Sequence, residues 1–166
     1  MENKTPFMTE IPEQEPQRQQ YFMAHAKEQL HILEENLGRP LTCCINTFGC
    51  QMNARDSEKL LGILETIGYQ AVETEDADFV LYNTCTVREN ANLRVYGRLG
   101  QLGARKKKHP HMMIALCGCM MQEKEVVEKI KKTYRFVDLI FGTHNIFKLA
   151  ELVSICLEER LEELEA

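Results

Sequence analysis

The sequence predicts an α/β fold in which a mostly parallel, five-stranded, doubly wound sheet of the flavodoxin-like or Rossmann-like type carries helices on both faces. Short apolar runs alternate along the chain with segments of helical periodicity, which is typical of strand–helix–strand units. The runs lack the alternating polar positions of half-exposed strands, so we expect strands buried on both faces. An N-terminal helical extension precedes this domain.

Five short apolar runs are the predicted strands. The first run contains no breaker, the second is the weakest, and the fourth has the composition of a buried strand. The link between the second and third runs, Thr74–Ala77, is too short to hold a helix. The predicted strands are Leu41–Asn46, Tyr69–Glu73, Asp78–Asn83, His111–Cys117 and Phe136–Gly142.

Helical periodicity marks most segments between these runs. In the first such segment the leucines and Ile67 fall on one side, and Gly68 ends the helix. Thr86, followed three residues later by Glu89, fits a capping box at the start of the next helix. The predicted helices are Met52–Ile67, Thr86–Lys107, Glu123–Thr133 and Ile146–Leu164.

The chain divides into three predicted regions. Residues 1–40 form a polar arm, Met1–Gln20, and a helix, Tyr21–Asn36, which Gly38 and Pro40 end. Residues 41–155 form the α/β domain. Residues 156–166 form an acidic helical tail, which is either a solvated helix end or a connection to a further domain that this chain lacks.

Composition excludes several classes of function. The 166 residues contain no apolar run of about 18 residues, so no membrane span or membrane contact is expected. The first twenty residues lack the apolar core of a signal peptide, so we expect a cytoplasmic protein. The net charge of −5 is unlike that of general electrostatic nucleic-acid binders, although a specific RNA contact stays open.

Seven cysteines need an explanation other than a disulfide framework, because the number is odd and nothing indicates secretion. A doubly wound sheet of order 2-1-3-4-5 binds ligands at the carboxyl ends of its strands. Cys50, Cys85 and Cys119 follow the first, third and fourth strands, which are neighbours in that order. We therefore expect three thiols at one edge of the sheet.

The neighbours of these cysteines suit thiolates. Each cysteine precedes a predicted helix, whose N-terminal N–H groups favour negative charge. Glycines before Cys50 and Cys119 let the backbone approach a bulky inorganic ligand. Short polar side chains nearby can cap helices or donate hydrogen bonds to sulfur. These are Gln51, Asn53, Thr84, Thr86 and Gln122.

Spacing by itself leaves two interpretations open for the three cysteines: a metal site, or burial as small apolar side chains. Burial is the expectation for Cys43, Cys44 and Cys156, which lie inside predicted elements. Cys117 ends a predicted strand and is assigned to packing as well, although the sequence C-G-C brings its thiol near that of Cys119.

Three local motifs resemble the N-terminal domain of the MiaB-type tRNA methylthiotransferases, which are radical S-adenosylmethionine enzymes. The motifs occur in the family's order and at its spacing, and the resemblance runs from about Thr42 to about Val153. They are TFGCQMN at Thr47–Asn53 with DSE at Asp56–Glu58, NTCTVRENA at Asn83–Ala91, and CGCMMQ at Cys117–Gln122.

The resemblance implies cofactors and a reaction. Cys50, Cys85 and Cys119 are expected to be the metal ligands of an auxiliary 4Fe–4S cluster, one iron of which has no cysteine ligand. A second 4Fe–4S cluster and S-adenosylmethionine belong to a radical domain. In the family, the full-length enzyme adds a methylthio group to N6-isopentenyladenosine next to the anticodon. The implied partners are a tRNA anticodon arm and a sulfur donor.

The sequence departs from the family in one respect. It contains no C-x-x-x-C-x-x-C motif, which the radical domain needs, and the RNA-binding module is missing. Under the resemblance, the chain is the N-terminal domain alone, and we do not expect it to turn over by itself. No catalytic residue is assigned, and a monomer is expected.

Two alternatives stay open. A non-catalytic flavodoxin-like binding module would hold structural thiols or zinc, with His109, His111 or His144 as further ligands; the first two lie at the wrong end of their strand. A related methylthiotransferase would act on another adenosine or on a ribosomal protein. No G-x-G-x-x-G or Walker A motif supports nucleotide binding.

Two groups of charged and polar residues have a less specific interpretation. The basic run Arg105–His109 is expected at the edge opposite the cysteines, as solvated surface rather than as an RNA contact. Arg88 and Asn90 belong to the second motif. They are either residues of the first helical turn or contacts to sulfur donor, cofactor or substrate.

Overall fold

One parallel sheet organises the chain, which a computed structural model describes over residues 11–49, 51–85 and 89–165. The strands lie in the order β2-β1-β3-β4-β5, and every described pairing is parallel. This order confirms the predicted doubly wound α/β fold. The strands are β1 (Thr42–Thr47), β2 (Gln70–Ala71), β3 (Phe79–Thr84), β4 (Met113–Gly118) and β5 (Leu139–Phe141).

Helices cover both faces of this sheet. Because successive strand residues point to opposite faces, Cys43 joins the core beneath α1, α2 and α5, whereas Cys44 joins the core beneath α3 and α4. Strands β3 and β4 are buried along their whole length. The helices are α1 (Gln17–Leu37), α2 (Gln51–Ile67), α3 (Glu89–Lys108), α4 (Lys124–Thr133) and α5 (Leu149–Glu165).

Helix α1 begins at Gln17, so the predicted polar arm, Met1–Gln20, is wrong for its last four residues. Polar pairing with α5 explains the earlier start: the Arg18 guanidinium bonds the Glu151 carboxylate. Farther along, Gln29 is buried, donates to Glu158 at 2.8 Å and accepts from the Ser154 hydroxyl at 2.8 Å. Helix α1 therefore packs on α5 through specific hydrogen bonds as well as apolar contacts.

Two short 3-10 helices follow the last strands. One spans Cys119–Gln122 after β4, and the other spans Thr143–Lys148 between β5 and α5. The second replaces the first turn of the predicted helix Ile146–Leu164. The predicted capping residue Thr86 lies outside the described residues. No helix in the described ranges is long and apolar enough to cross a lipid bilayer.

Two aspartates tie the amino ends of the strands together. Asp78 accepts the Thr42 backbone N–H at 2.9 Å and both ends of the Arg39 guanidinium at 2.7 and 2.9 Å. Asp138 has the equivalent role between β5 and β4, because it accepts the Ile114 N–H at 2.9 Å. Each carboxylate thus precedes one strand and binds the backbone of its neighbour.

Asp138 also organises charged groups around it. Its carboxylate accepts from Lys106 at 2.7 Å and from Arg160, which is 6% exposed, at 2.9 Å. Strand β5 begins at Leu139 rather than at Phe136, because the segment before it forms a turn in which the Val137 N–H donates to the Tyr134 carbonyl at 3.1 Å and the Phe136 carbonyl accepts from Lys106 at 2.7 Å. The basic run Arg105–His109 lies at this amino edge, as predicted. Lys106 is largely buried, so the solvated-surface interpretation is wrong for that residue.

Replacing Asp78 with asparagine is expected to lower the free energy of unfolding by roughly 1–2 kcal/mol at neutral pH, because a charge-assisted bidentate contact to half-exposed Arg39 is lost. Although burial acts to raise the pKa of Asp78, the hydrogen bonds from Arg39 and Thr42 lower it below its ordinary value. The stabilisation is therefore complete above about pH 4 and lost as the pH falls through the lowered pKa.

Urea denaturation from pH 7 to pH 2 measures this effect. The curves of wild type and Asp78→Asn are expected to converge in acid. Asp76→Asn is the matched control, since Asp76 pairs with Arg105 but its side chain is 72% exposed. A constant difference between wild type and Asp78→Asn at every pH would contradict the assignment.

Candidate cluster-binding site

The register of the sheet determines which residues meet at its carboxyl edge. Asn83 on β3 pairs with Thr47 on β1 and with Cys117 on β4, and Cys117 pairs with Phe141 on β5. These four residues form one row across four strands. Cys85 and Cys119 each stand two residues beyond the row, so the ends of β3 and β4 bring two of the three predicted ligands to the same level.

The third predicted ligand, Cys50, lies outside the described residues, but its neighbour Gly49 is described. Gly49 has a φ of +155°, and a Cβ at this position would lie 2.6 Å from the Cys85 Cβ. The preceding residue, Phe48, donates its N–H to the Asn83 carbonyl at 2.8 Å. The loop that carries Cys50 is therefore in direct contact with Cys85.

Gly118 brings the β4 loop equally close to the end of β3. Its φ is +101°, a conformation that L side chains rarely adopt, and a Cβ there would lie 2.2 Å from the Thr84 carbonyl oxygen. Only glycine permits this approach of the backbone before Cys119 to the backbone before Cys85. Both glycines of the cysteine motifs thus allow loop-to-loop contact.

A buried polar network holds these loops. The Asn53 amide donates to the Thr84 carbonyl at 3.0 Å, and the Asn83 amide donates to the Asn53 carbonyl at 2.8 Å. The Thr84 hydroxyl donates to the Cys117 carbonyl at 2.7 Å. The start of α2 is thereby bonded to the end of β3, which is in turn bonded to the end of β4.

Two further polar contacts extend this network toward β1. Ser57 on α2 accepts from the Asn83 amide at 3.0 Å and shares a 2.7 Å hydrogen bond with the Thr47 hydroxyl. The short polar residues of the motifs were expected to cap helices or to bond sulfur. The described hydrogen bonds of the Asn53 and Thr84 side chains go to backbone carbonyls of neighbouring segments. The Gln51 side chain and Thr86 lie outside the described residues.

A second network supports the β1 loop from the other face. Glu75 accepts hydrogen bonds from Asn46 at 3.0 Å and Arg98 at 2.6 Å, and also from the Tyr82 hydroxyl. The Phe48 ring packs against the Tyr82 ring, with centroids 5.0 Å apart. The Arg98 guanidinium lies 5.4 Å from the centroid of the Phe48 ring. This contact was not predicted from the sequence, because the Glu75 loop carries no motif.

The four other described cysteines belong to the hydrophobic core. None of the six described cysteines forms a disulfide. Burial raises the pKa of Cys43 and of Cys156 to about 12 and also raises the pKa of Cys44 and Cys117. These thiols stay protonated at neutral pH and are poor metal ligands. Their assignment to the core is therefore confirmed.

Thr143 is a site residue that sequence reasoning missed. It stands two residues beyond Phe141, at the same level as Cys85 and Cys119, and its hydroxyl donates to the Cys119 sulfur at 3.7 Å. The sequence did indicate its position, because Thr143 directly follows the predicted strand Phe136–Gly142. A threonine is not a usual metal ligand, so this position by itself did not mark Thr143 as a site residue.

The histidines do not gather at this edge. His111 lies beside Asp78 at the opposite edge, and His144 is exposed. Within residues 11–49, 51–85 and 89–165, no group of three or more histidine, cysteine or acidic side chains is arranged to hold a metal ion. Cys50 falls outside that range, as do Arg88 and the Asn90 side chain.

Comparison with known proteins identifies the domain. A family model described as "Uncharacterized protein family UPF0004" matches residues 42–142. The chain belongs to this family. The match begins at Thr42, where the resemblance to the MiaB-type methylthiotransferases begins, and that resemblance is confirmed.

Three curated relatives of this UPF0004 domain share the name tRNA-2-methylthio-N(6)-dimethylallyladenosine synthase. The protein of Lachnoclostridium phytofermentans is 72% identical over 131 residues, which cover 79% of the chain and 29% of the relative. That of Acetivibrio thermocellus is 50% identical, covering 90% of the chain and 32% of the relative. That of Clostridioides difficile is 48% identical, covering 87% and 30%. The chain thus spans about a third of the length of these relatives.

Replacing Gly118 with alanine in this UPF0004 domain is expected to cost several kcal/mol, or to prevent folding, because the added methyl group meets the Thr84 backbone at a strained φ. Thermal and urea unfolding measure the loss. Gly97→Ala is the matched control: it lies within α3, where a Cβ would meet nothing within 4 Å. That change is expected to stabilise the protein by up to about 1 kcal/mol. Equal effects of both changes would contradict the loop contact.

Proposed function

We propose that Cys50, Cys85 and Cys119 hold an auxiliary 4Fe–4S cluster, and that the chain is the N-terminal domain of a tRNA methylthiotransferase. The observation that carries this proposal is that Cys85 and Cys119 lie the same two residues beyond the pair Asn83–Cys117, at the ends of the neighbouring strands β3 and β4. The contact of Gly49 with Cys85 supports the third ligand, since Gly49 immediately precedes Cys50.

The donor set fits such a cluster. Cysteine thiolates are the usual ligands of iron–sulfur clusters, and here they come from separate loops at one edge of a rigid sheet. Cys85 is 6% exposed, whereas Cys119 is more accessible. Three protein ligands leave one iron open, and a bound cluster would supply that position to an exogenous sulfur atom.

The domain's own residues position the ligands and shelter one side of the site. Asn53 and Asn83 bind the start of α2 to the end of β3, so the loops of Cys50 and Cys85 are held together. Met120 and Met121, in the turn that begins at Cys119, are buried in the core beneath α3 and α4. Cys119 is partly exposed, which leaves it accessible to a substrate and a sulfur donor.

The remaining chemistry belongs to the longer protein. The names of the relatives support methylthiolation of N6-isopentenyladenosine beside the tRNA anticodon, and the chain covers about a third of their length. S-adenosylmethionine and a second 4Fe–4S cluster would reside in the radical domain. We expect the domain to be a cytoplasmic monomer and to be inactive alone.

Anaerobic reconstitution with iron and sulfide is expected to load about four iron atoms per chain and to produce broad visible absorbance. Changing Cys50, Cys85 or Cys119 to alanine removes a ligand and is expected to abolish that absorbance. Cys156→Ala is the control, because this buried cysteine lies in α5, away from the carboxyl edge. Full loading of the triple variant would refute the cluster assignment.

Metal analysis of protein purified without oxygen separates the proposal from the non-catalytic alternative. Zinc without iron or sulfide would favour a flavodoxin-like module with a structural metal. A protein that binds neither metal would favour structural thiols alone.

A chimera tests the reaction. When this chain replaces the matched 131 residues of the L. phytofermentans relative, the chimera is expected to form the methylthio nucleoside in tRNA of a host that lacks this activity. Mass spectrometry of digested tRNA measures the product, and the Cys85→Ala chimera is expected to leave isopentenyladenosine unmodified. A methylthio group on another adenosine or on a ribosomal protein would reassign the substrate.

A further inference from the structure

Thr143 contacts one of the proposed cluster ligands. Its hydroxyl donates to the Cys119 sulfur at 3.7 Å, across 24 residues of sequence. Thr143 is the first residue of the 3-10 helix that follows β5. The described hydrogen bond of its hydroxyl goes to the Cys119 sulfur and not to the backbone of its own turn.

Two features hold Thr143 in this position. The pairing of Cys117 with Phe141 places Cys119 and Thr143 each two residues beyond that pair. The turns also interlock, because a Cβ on Gly142 would lie 3.1 Å from the Gln122 side chain, in the turn that begins at Cys119. The contact is thus a consequence of strand register and loop packing.

A hydroxyl that donates to a ligating thiolate has two physical effects. It withdraws electron density from the sulfur, which stabilises the more negative, reduced form of an iron–sulfur centre and raises its reduction potential. It also orients the ligand, and loss of such an outer contact typically costs about 10–100-fold in metal affinity.

We propose that Thr143 is a positioning residue that sets the reduction potential of the auxiliary cluster and retains Cys119 as its ligand. This inference rests on the proposed function. It gives β5, which carries no predicted ligand, a role in the site. All four strands of the row Thr47–Asn83–Cys117–Phe141 then contribute at the carboxyl edge.

The experiment compares Thr143→Val, which removes the hydroxyl at nearly constant shape, with Thr143→Ser, which keeps it. Both proteins are reconstituted anaerobically, then titrated for midpoint potential and challenged with an iron chelator. Thr143→Val is expected to have a lower potential and about tenfold faster iron loss, and Thr143→Ser is expected to restore both values. Thr66→Val is the control, because its hydroxyl bonds the Gly62 carbonyl within α2.

The outcomes separate this inference from the proposed function. If wild-type protein loads no iron, both fail. If Thr143→Val loads fully and matches wild type in potential and iron loss, the inference alone is overturned. If the valine variant folds but loses its iron while the serine variant keeps it, the role in ligand retention is supported. If the valine variant does not fold, Thr143→Ala compared with Thr143→Ser decides by the same two measurements.

Discussion

The site depends on one constraint, the register of the parallel strands. Polar groups hold that register at both ends of the sheet. Asp78 and Asp138 bind neighbouring backbone N–H groups at the amino edge. At the carboxyl edge, the Asn83 side chain donates to a backbone carbonyl of α2 and the Thr84 side chain donates to one of β4. Between them the strands are apolar and carry no specific pairing signal. A slip of one residue would exchange the two faces of a strand and would move Cys85 away from the level of Cys119.

The same constraint sorts the cysteines by chemistry. Those inside strands and helices are buried, and burial raises their pKa, which keeps them as neutral packing groups. Cys85 and Cys119 stand just beyond the sheet, where loops converge. The position of a cysteine relative to the end of its strand thus separates the packing thiols from the proposed ligands. Cys117 and Cys119 illustrate this: they differ by two residues but lie on opposite sides of that boundary.

Much of the fold followed from local patterns. Continuous apolar runs predicted the strands, because strands buried on both faces need apolar side chains throughout. The errors have tertiary causes. Helix α1 starts earlier than its apolar pattern because Arg18 pairs with Glu151 on α5. Strand β5 is shorter than its apolar run because the residues before it form a turn, in which the Val137 N–H donates to the Tyr134 carbonyl.

The sequence by itself determined the fold class, and it selected Cys50, Cys85 and Cys119 as predicted ligands, since motif and position relative to predicted strands are local properties. The strand order followed only by assuming the usual order of a doubly wound sheet, which the structure confirms. Only the tertiary structure decided what Gly118, Asn53 and Thr143 do. Each acts on a partner about 24 to 34 residues away, through one contact of a few ångströms. Periodicity does not record such contacts, because they arise only when register and loop packing bring separate strand ends together.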